Sequence, residues 1–113
     1  MEKIVRQGLL YDFYGELLTE HQRYVYEDVV LHDLSLSEIA KEQKISRQGV
    51  HDLVKRCDRI LEGYEEKLHL VEKFQETKKL AGQIQVLLEK YRSGKEESLL
   101  QQAEEIARKI GEI

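Results

Sequence analysis

The sequence predicts an all-α protein, a helix-turn-helix bundle extended at its C-terminal end by a helical hairpin. Three observations carry this. There is no proline in 113 residues, so nothing obliges a helix to break, and the abundant Glu, Lys, Leu, Gln and Ile all favour helix. Apolar residues recur at three- and four-residue steps along nearly the whole chain, which is the period of a helix face and not the alternation of a strand. Two sharp helix starts, at Ser35 and Ser46, bracket a tight turn within the stretch Leu36 to Ile60, as a helix-turn-helix requires.

The elements follow in order. Residues 2–18 place Ile4, Val5, Leu9, Phe13 and Leu17 on one helix face, widened by Leu10, Tyr14 and Leu18. Gly8 and Gly15 each cost about 1 kcal/mol relative to Ala in a helix interior. They mark close helix packing, with an end near Gly15 as the alternative. Tyr11 and Tyr14 read as core-edge tyrosines rather than a platform for stacked bases.

Thr19-Glu20-His21-Gln22 has the capping-box spacing and starts a second helix. That helix carries Val25, Val29 and Val30 inward and fades at His32-Asp33. Ser35-Leu36-Ser37-Glu38 repeats the capping logic, and Leu34 staples onto Ile39, so a short third helix runs from Leu36 to near Gln43. Gln43-Lys44-Ile45 leads to Ser46, the N-cap of a fourth helix, with Ile45 and Val50 in staple positions. Ile39, Ala40, Ile45, Val50 and Leu53 fall where the motif needs packing residues, and a larger side chain than Ala40 would hold the two helices apart. Lys44 occupies the turn position usually given to glycine. A left-handed backbone there implies strain of about 1 kcal/mol.

At 100 degrees per residue, Val50, Leu53, Val54, Cys57 and Leu61 share the inner face of the fourth helix. Gln48, Asp52, Lys55 and Arg59 share the outer one, flanked by Arg47 and His51. The first residues of a recognition helix meet base edges and later ones hold phosphates. Arg47, Gln48 and His51, behind the Ser46 cap, are therefore the candidate base contacts, and Lys55, Arg56 and Arg59 the candidate phosphate contacts. From Ser46 to Ile60 four side chains are basic and two acidic, the sign a polyanion needs. The competing reading is a solvated face on which Asp52 pairs with Lys55 and Arg56.

Beyond Glu62 the pattern changes. The sequence divides there into an N-terminal helix plus helix-turn-helix domain, residues 1–62, and a helical extension, residues 63–113. Tyr64, Leu68, Val71, Leu80, Ile84, Leu87 and Tyr91 predict one long helix, weakly interrupted by Gly63 and Gly82. Ser93-Gly94 stops it, and Leu99, Leu100, Ala103, Ile106, Ala107 and Ile110 form a last amphipathic helix. Their apolar stripes are wide enough that a second protomer is expected to complete the burial, making a homodimer.

Composition bounds the function. Net charge is −4, and nine Lys and Arg stand against eleven Asp and Glu both in residues 1–61 and in residues 62–113. No basic tail exists. A polyanion must be met by a local patch, because phosphate neutralisation supplies most non-specific affinity. The single cysteine, Cys57, suits a reducing compartment and reads as a buried structural thiol. No apolar run reaches the roughly 18 residues of a membrane span, and Met1-Glu2-Lys3 opens no signal peptide, so the cytoplasm is expected. His21, His32, His51 and His69 include no pair at metal-site spacing, and there is no Cys-x-x-Cys, phosphate loop, nucleophile elbow or dinucleotide fingerprint. Glu65-Glu66 and Glu104-Glu105 read as ordinary helix surface. No enzyme activity, cofactor or metal is expected.

Leu18 to Leu61 resembles region 4 of the sigma-70 family, in the pattern L-T-x-x-Q-R, S-x-x-E-I-A and I-S-R-x-x-V. More closely, Asp33 to Ala40, Ile45 to Val50 and Tyr64 to Leu70 resemble the YlxM-type family of small bacterial helix-turn-helix proteins, and the resemblance spans roughly Ile4 to Phe74. It implies a cytosolic, all-helical bacterial protein encoded beside the genes of the signal recognition particle, taking part in or regulating that pathway. It does not imply a sigma factor, because nothing here supplies a domain that opens promoter DNA.

The sequence thus ranks three functions. The first is a helix-turn-helix nucleic-acid-binding regulator acting on DNA as a dimer. The second is a protein-interaction module that binds a signal recognition particle component without reading DNA, favoured by net acidity and Asp52. The third binds RNA, the particle's own.

Overall fold

The computed structural model describes residues 2–113. The elements are α1 (Lys3–Tyr14), a 3-10 turn (Gly15–Leu17), α2 (Glu20–Val30), α3 (Leu36–Gln43), α4 (Arg47–Leu68), α5 (Leu70–Gly94) and α6 (Glu97–Gly111), with no strand among the described residues. Two compact units result, the first ending at Val71 and the second spanning Glu72–Ile113.

In the first unit α4 is the spine, and α1, α2 and α3 all pack on it. Leu10, Tyr14, Tyr26, Cys57 and Leu61 centre one core cluster, and Val25, Ile39, Ala40 and Val50 a second one under the helix-turn-helix. The inner face expected of α4 is the observed one. Tyr14 is buried, and Tyr11 stacks on Tyr26 with ring centroids 5.7 Å apart while its hydroxyl donates to Glu27. Neither ring is a platform for bases.

The starts of α2, α3 and α4 are where the sequence puts them. Thr19 Oγ1 accepts from the Gln22 N–H at 3.2 Å, and the Gln22 side-chain oxygen accepts from the Thr19 N–H at 2.9 Å, completing the capping box. Ser35 accepts from the Glu38 N–H at 3.1 Å. α1 does end at Gly15, where the 3-10 turn takes over, and the Tyr11 ring lies over that glycine, so that a Cβ there would sit 2.7 Å from a ring carbon. Gly8 differs from expectation. A Cβ on it would meet nothing within 4 Å, so it marks no close packing.

The largest correction lies after the helix-turn-helix. α4 runs straight through Gly63, and the predicted long helix from Tyr64 to Tyr91 is instead broken at His69, which is left-handed at φ 56, ψ 27. Glu65, expected on the surface, is buried. Its Oε1 accepts from the Tyr14 hydroxyl at 2.6 Å and from the Val71 N–H at 2.9 Å, while the Leu70 N–H donates to the Tyr14 oxygen at 3.2 Å. The first N–H groups of a helix lack internal partners, and a carboxylate there also meets the favourable end of the helix dipole. Tyr14 and Glu65 therefore cap α5 from outside it, and the first unit runs past Glu62 to Val71.

The second unit is the hairpin of α5 and α6, turned at Lys95, which is left-handed at φ 56, and Leu80 and Ala103 are its buried apolar side chains. Its burial is thin. Val86 and Leu88 are 50% and 43% exposed, and Lys79, Gly82, Val86, Leu87, Gln102 and Ile106 line a shallow groove of about 460 Å³.

Candidate nucleic-acid interface

The turn that aims α4 is built by the backbone. Lys44 caps α3 in the left-handed conformation, φ 58 and ψ 40, the strained geometry expected of a non-glycine residue there. The Ile45 N–H reaches back to the Ala40 carbonyl at 3.1 Å, which satisfies an end of α3 and reverses the chain. Ser46 then caps α4, its Oγ accepting from the Gly49 N–H at 2.9 Å. A Cβ on residue 49 would lie 3.1 Å from that oxygen, so Gly49 leaves room for the cap. Ile45 departs from its expected packing role: it is exposed and lies beside Gly49 rather than in the core.

Arg47, Gln48, His51, Lys55, Arg56 and Arg59 are all exposed along α4, with Ser46 exposed at its head. The structure thus brings every sequence-predicted contact residue onto the solvent side of one helix. Behind them, α4 is anchored by its own carboxylates. Asp58 accepts from Gln7 Nε2 at 3.0 Å and from the Tyr26 hydroxyl at 2.6 Å. Glu62 holds Arg6 through two bonds, Nε at 2.6 Å and Nη2 at 2.8 Å; the hydrogen bond from Arg6, more than Coulomb attraction, draws the Glu62 carboxyl below its ordinary value. Burial and Asp58 push the Tyr26 hydroxyl up. Cys57 lies beneath, wholly buried, its thiol pushed up to about 11 chiefly by burial, so it is no thiolate nucleophile.

Asp52 is the exception on the outer face. The competing solvated-face reading pairs it with Lys55 and Arg56, but it accepts instead from Gln48 Nε2 at 2.9 Å and stands 3.8 Å from His51 Nδ1. Helical side chains lean toward the N-terminus, which carries the short carboxylate over the preceding turn. Two cations that helix projection of α4 alone does not reach, Lys41 on α3 and Lys44 in the turn, are exposed just before α4. The signal for them is the rule that the first helix of the motif crosses the phosphate backbone.

Comparison with known proteins agrees with this geometry. Residues 1–106 match the model of the UPF0122 family, described as "Putative helix-turn-helix protein, YlxM / p13 like". The chain belongs to this family. UPF0122 proteins of Bacillus cereus, Bacillus anthracis and Bacillus thuringiensis are each 48% identical to it over 88 residues, covering 78% of this chain and 80% of the relative. No helix among the described residues is long and apolar enough to cross a membrane.

Proposed function

We propose that this UPF0122 protein is a cytoplasmic, non-enzymatic regulator that docks α4 in the major groove of DNA. In this reading Arg47, Gln48 and His51 reach base edges, while Lys55, Arg56 and Arg59 hold phosphates. The observation that carries it is the sorting of charge on α4. Asp58 and Glu62 are engaged by α1 and α2, leaving Asp52 as the one carboxylate among the cations of the outer face. Over residues 47–60 the helix thereby exposes four cations, Arg47, Lys55, Arg56 and Arg59, against the single exposed carboxylate of Asp52. The thinly covered hairpin, with Val86 half exposed, supports association of two copies, and a strict monomer in sedimentation at micromolar concentration removes that part.

The regulated process we assign is the signal recognition particle pathway, on the family resemblance. Arg47→Glu with Lys55→Glu tests the docking: duplex binding followed by anisotropy should weaken at least tenfold, and the salt slope should fall by about 1 for each phosphate no longer neutralised. An unchanged titration, with the variant folded, rejects the site. Stronger competition by structured RNA than by duplex DNA redirects it to RNA.

Ile4, Val5 and Leu17, about half exposed on and just after α1, favour a second reading, a module that grips a protein partner. Capture of a particle component from lysate that survives nuclease treatment, with affinity insensitive to salt, selects that reading over the first.

A further inference from the structure

Asp52 has the wrong sign for a phosphate-binding face, yet it stands in the middle of one, with its side chain 67% exposed. Its chemistry is restricted. An ionised carboxylate only accepts hydrogen bonds, so the group of Gln48 that faces it at 2.9 Å is the amide N–H. That bond uses one of the two amide protons and leaves the Gln48 oxygen and one N–H directed elsewhere. The Asp52 carboxylate keeps spare acceptor capacity toward solvent. One turn into α4, where a recognition helix meets bases, the protein therefore presents an amide held by a carboxylate, and within that pair acceptors outnumber donors.

In the major groove the bases differ on this point. Cytosine N4 and adenine N6 donate, whereas guanine offers O6 and N7 and thymine O4, all acceptors. A carboxylate takes a proton from cytosine N4 and is repelled by the guanine edge. Repulsion of the wrong base is a recognised source of specificity, obtained here at the expense of general affinity for phosphates.

We propose that Asp52 is a specificity-determining residue that fixes the Gln48 amide and selects cytosine against guanine at the base step it faces. The inference rests on the DNA-docking reading. It also accounts for an outward carboxylate among the exposed cations Arg47, Lys55, Arg56 and Arg59.

The test is selection from a duplex DNA library with a randomised core, using the full chain and its Asp52→Asn and Asp52→Ala variants, followed by anisotropy on the selected duplex and its single-base variants. The unaltered protein should prefer cytosine to guanine at one position by about tenfold or more, the range expected of a good base contact. Asp52→Ala should lose that preference while binding all duplexes more tightly, and Asp52→Asn, whose amide both donates and accepts, should flatten it. Circular dichroism should be unchanged, because the residue is exposed. If Asp52→Ala tightens binding uniformly and keeps the same base preference, Asp52 acts only as a general repulsive charge and the inference is overturned. If the unaltered protein retains no duplex at all, the docking reading itself falls, and this inference with it.

Discussion

Tyr14 and Glu65 lie 51 positions apart, yet one hydroxyl and one carboxylate complete the start of α5 between them. Tyr14→Phe removes a donor from a buried carboxylate and an acceptor from the Leu70 N–H. It should cost about 1–3 kcal/mol, read as a shift in the urea midpoint. The same hydroxyl sets an alkaline limit. Burial, and then the hydrogen bond to Glu65, raise the Tyr14 phenol, and burial with Asp58 raises Tyr26. A phenol held protonated in the fold contributes stability that is complete below its unfolded pKa, about 10, and is lost as pH climbs through the higher folded value. Thermal melting temperatures should therefore fall above about pH 10, and less steeply in Tyr14→Phe. Glu62, lowered by Arg6, acts in the opposite window, its contribution present above the ordinary carboxylate value and lost in acid. That pair is more than a third exposed on both sides, so solvent screening keeps its worth to at most about 1 kcal/mol.

The elements were legible where the chain signals locally and opaque where it does not. Thr19, Ser35 and Ser46 announce helix starts within three residues of themselves, and the hydroxyls make the bonds their spacing implies. Ala40 was legible for the same reason, a small residue at a fixed offset from the turn, and it is buried with Val25, Ile39 and Val50. Ala40→Leu should push α3 and α4 apart at a cost of about 1–3 kcal/mol, visible as a lowered denaturation midpoint with unchanged helical content. The corner at His69 was illegible because no glycine or proline marks it; the groups that fix it, Tyr14 and Glu65, come together only in the folded chain. The Gln48–Asp52 bond was hidden because charge counting favours Lys55 and Arg56, whereas the lean of helical side chains favours the preceding turn.

At the scale of the whole molecule, part of an acidity that is evenly spread in sequence is engaged inside the fold, since α1 and α2 supply hydrogen-bond partners to Asp58 and Glu62. Charge totals by segment contain no such information, so the candidate face emerged from the sequence as a set of residues and from the fold as a surface. The core beneath it holds one more property. Cys57 is the chain's single cysteine, fully buried at the centre of the unit that carries the helix-turn-helix, with its proton held up to about 11. Such a thiol ignores an alkylating reagent until the unit opens, so labelling is a clock for opening. Where reclosing outruns alkylation, saturating duplex should slow the modification by a factor near the ratio of free duplex to its Kd. Iodoacetamide and a mass spectrometer can then measure ligand affinity on the unlabelled, unmutated protein.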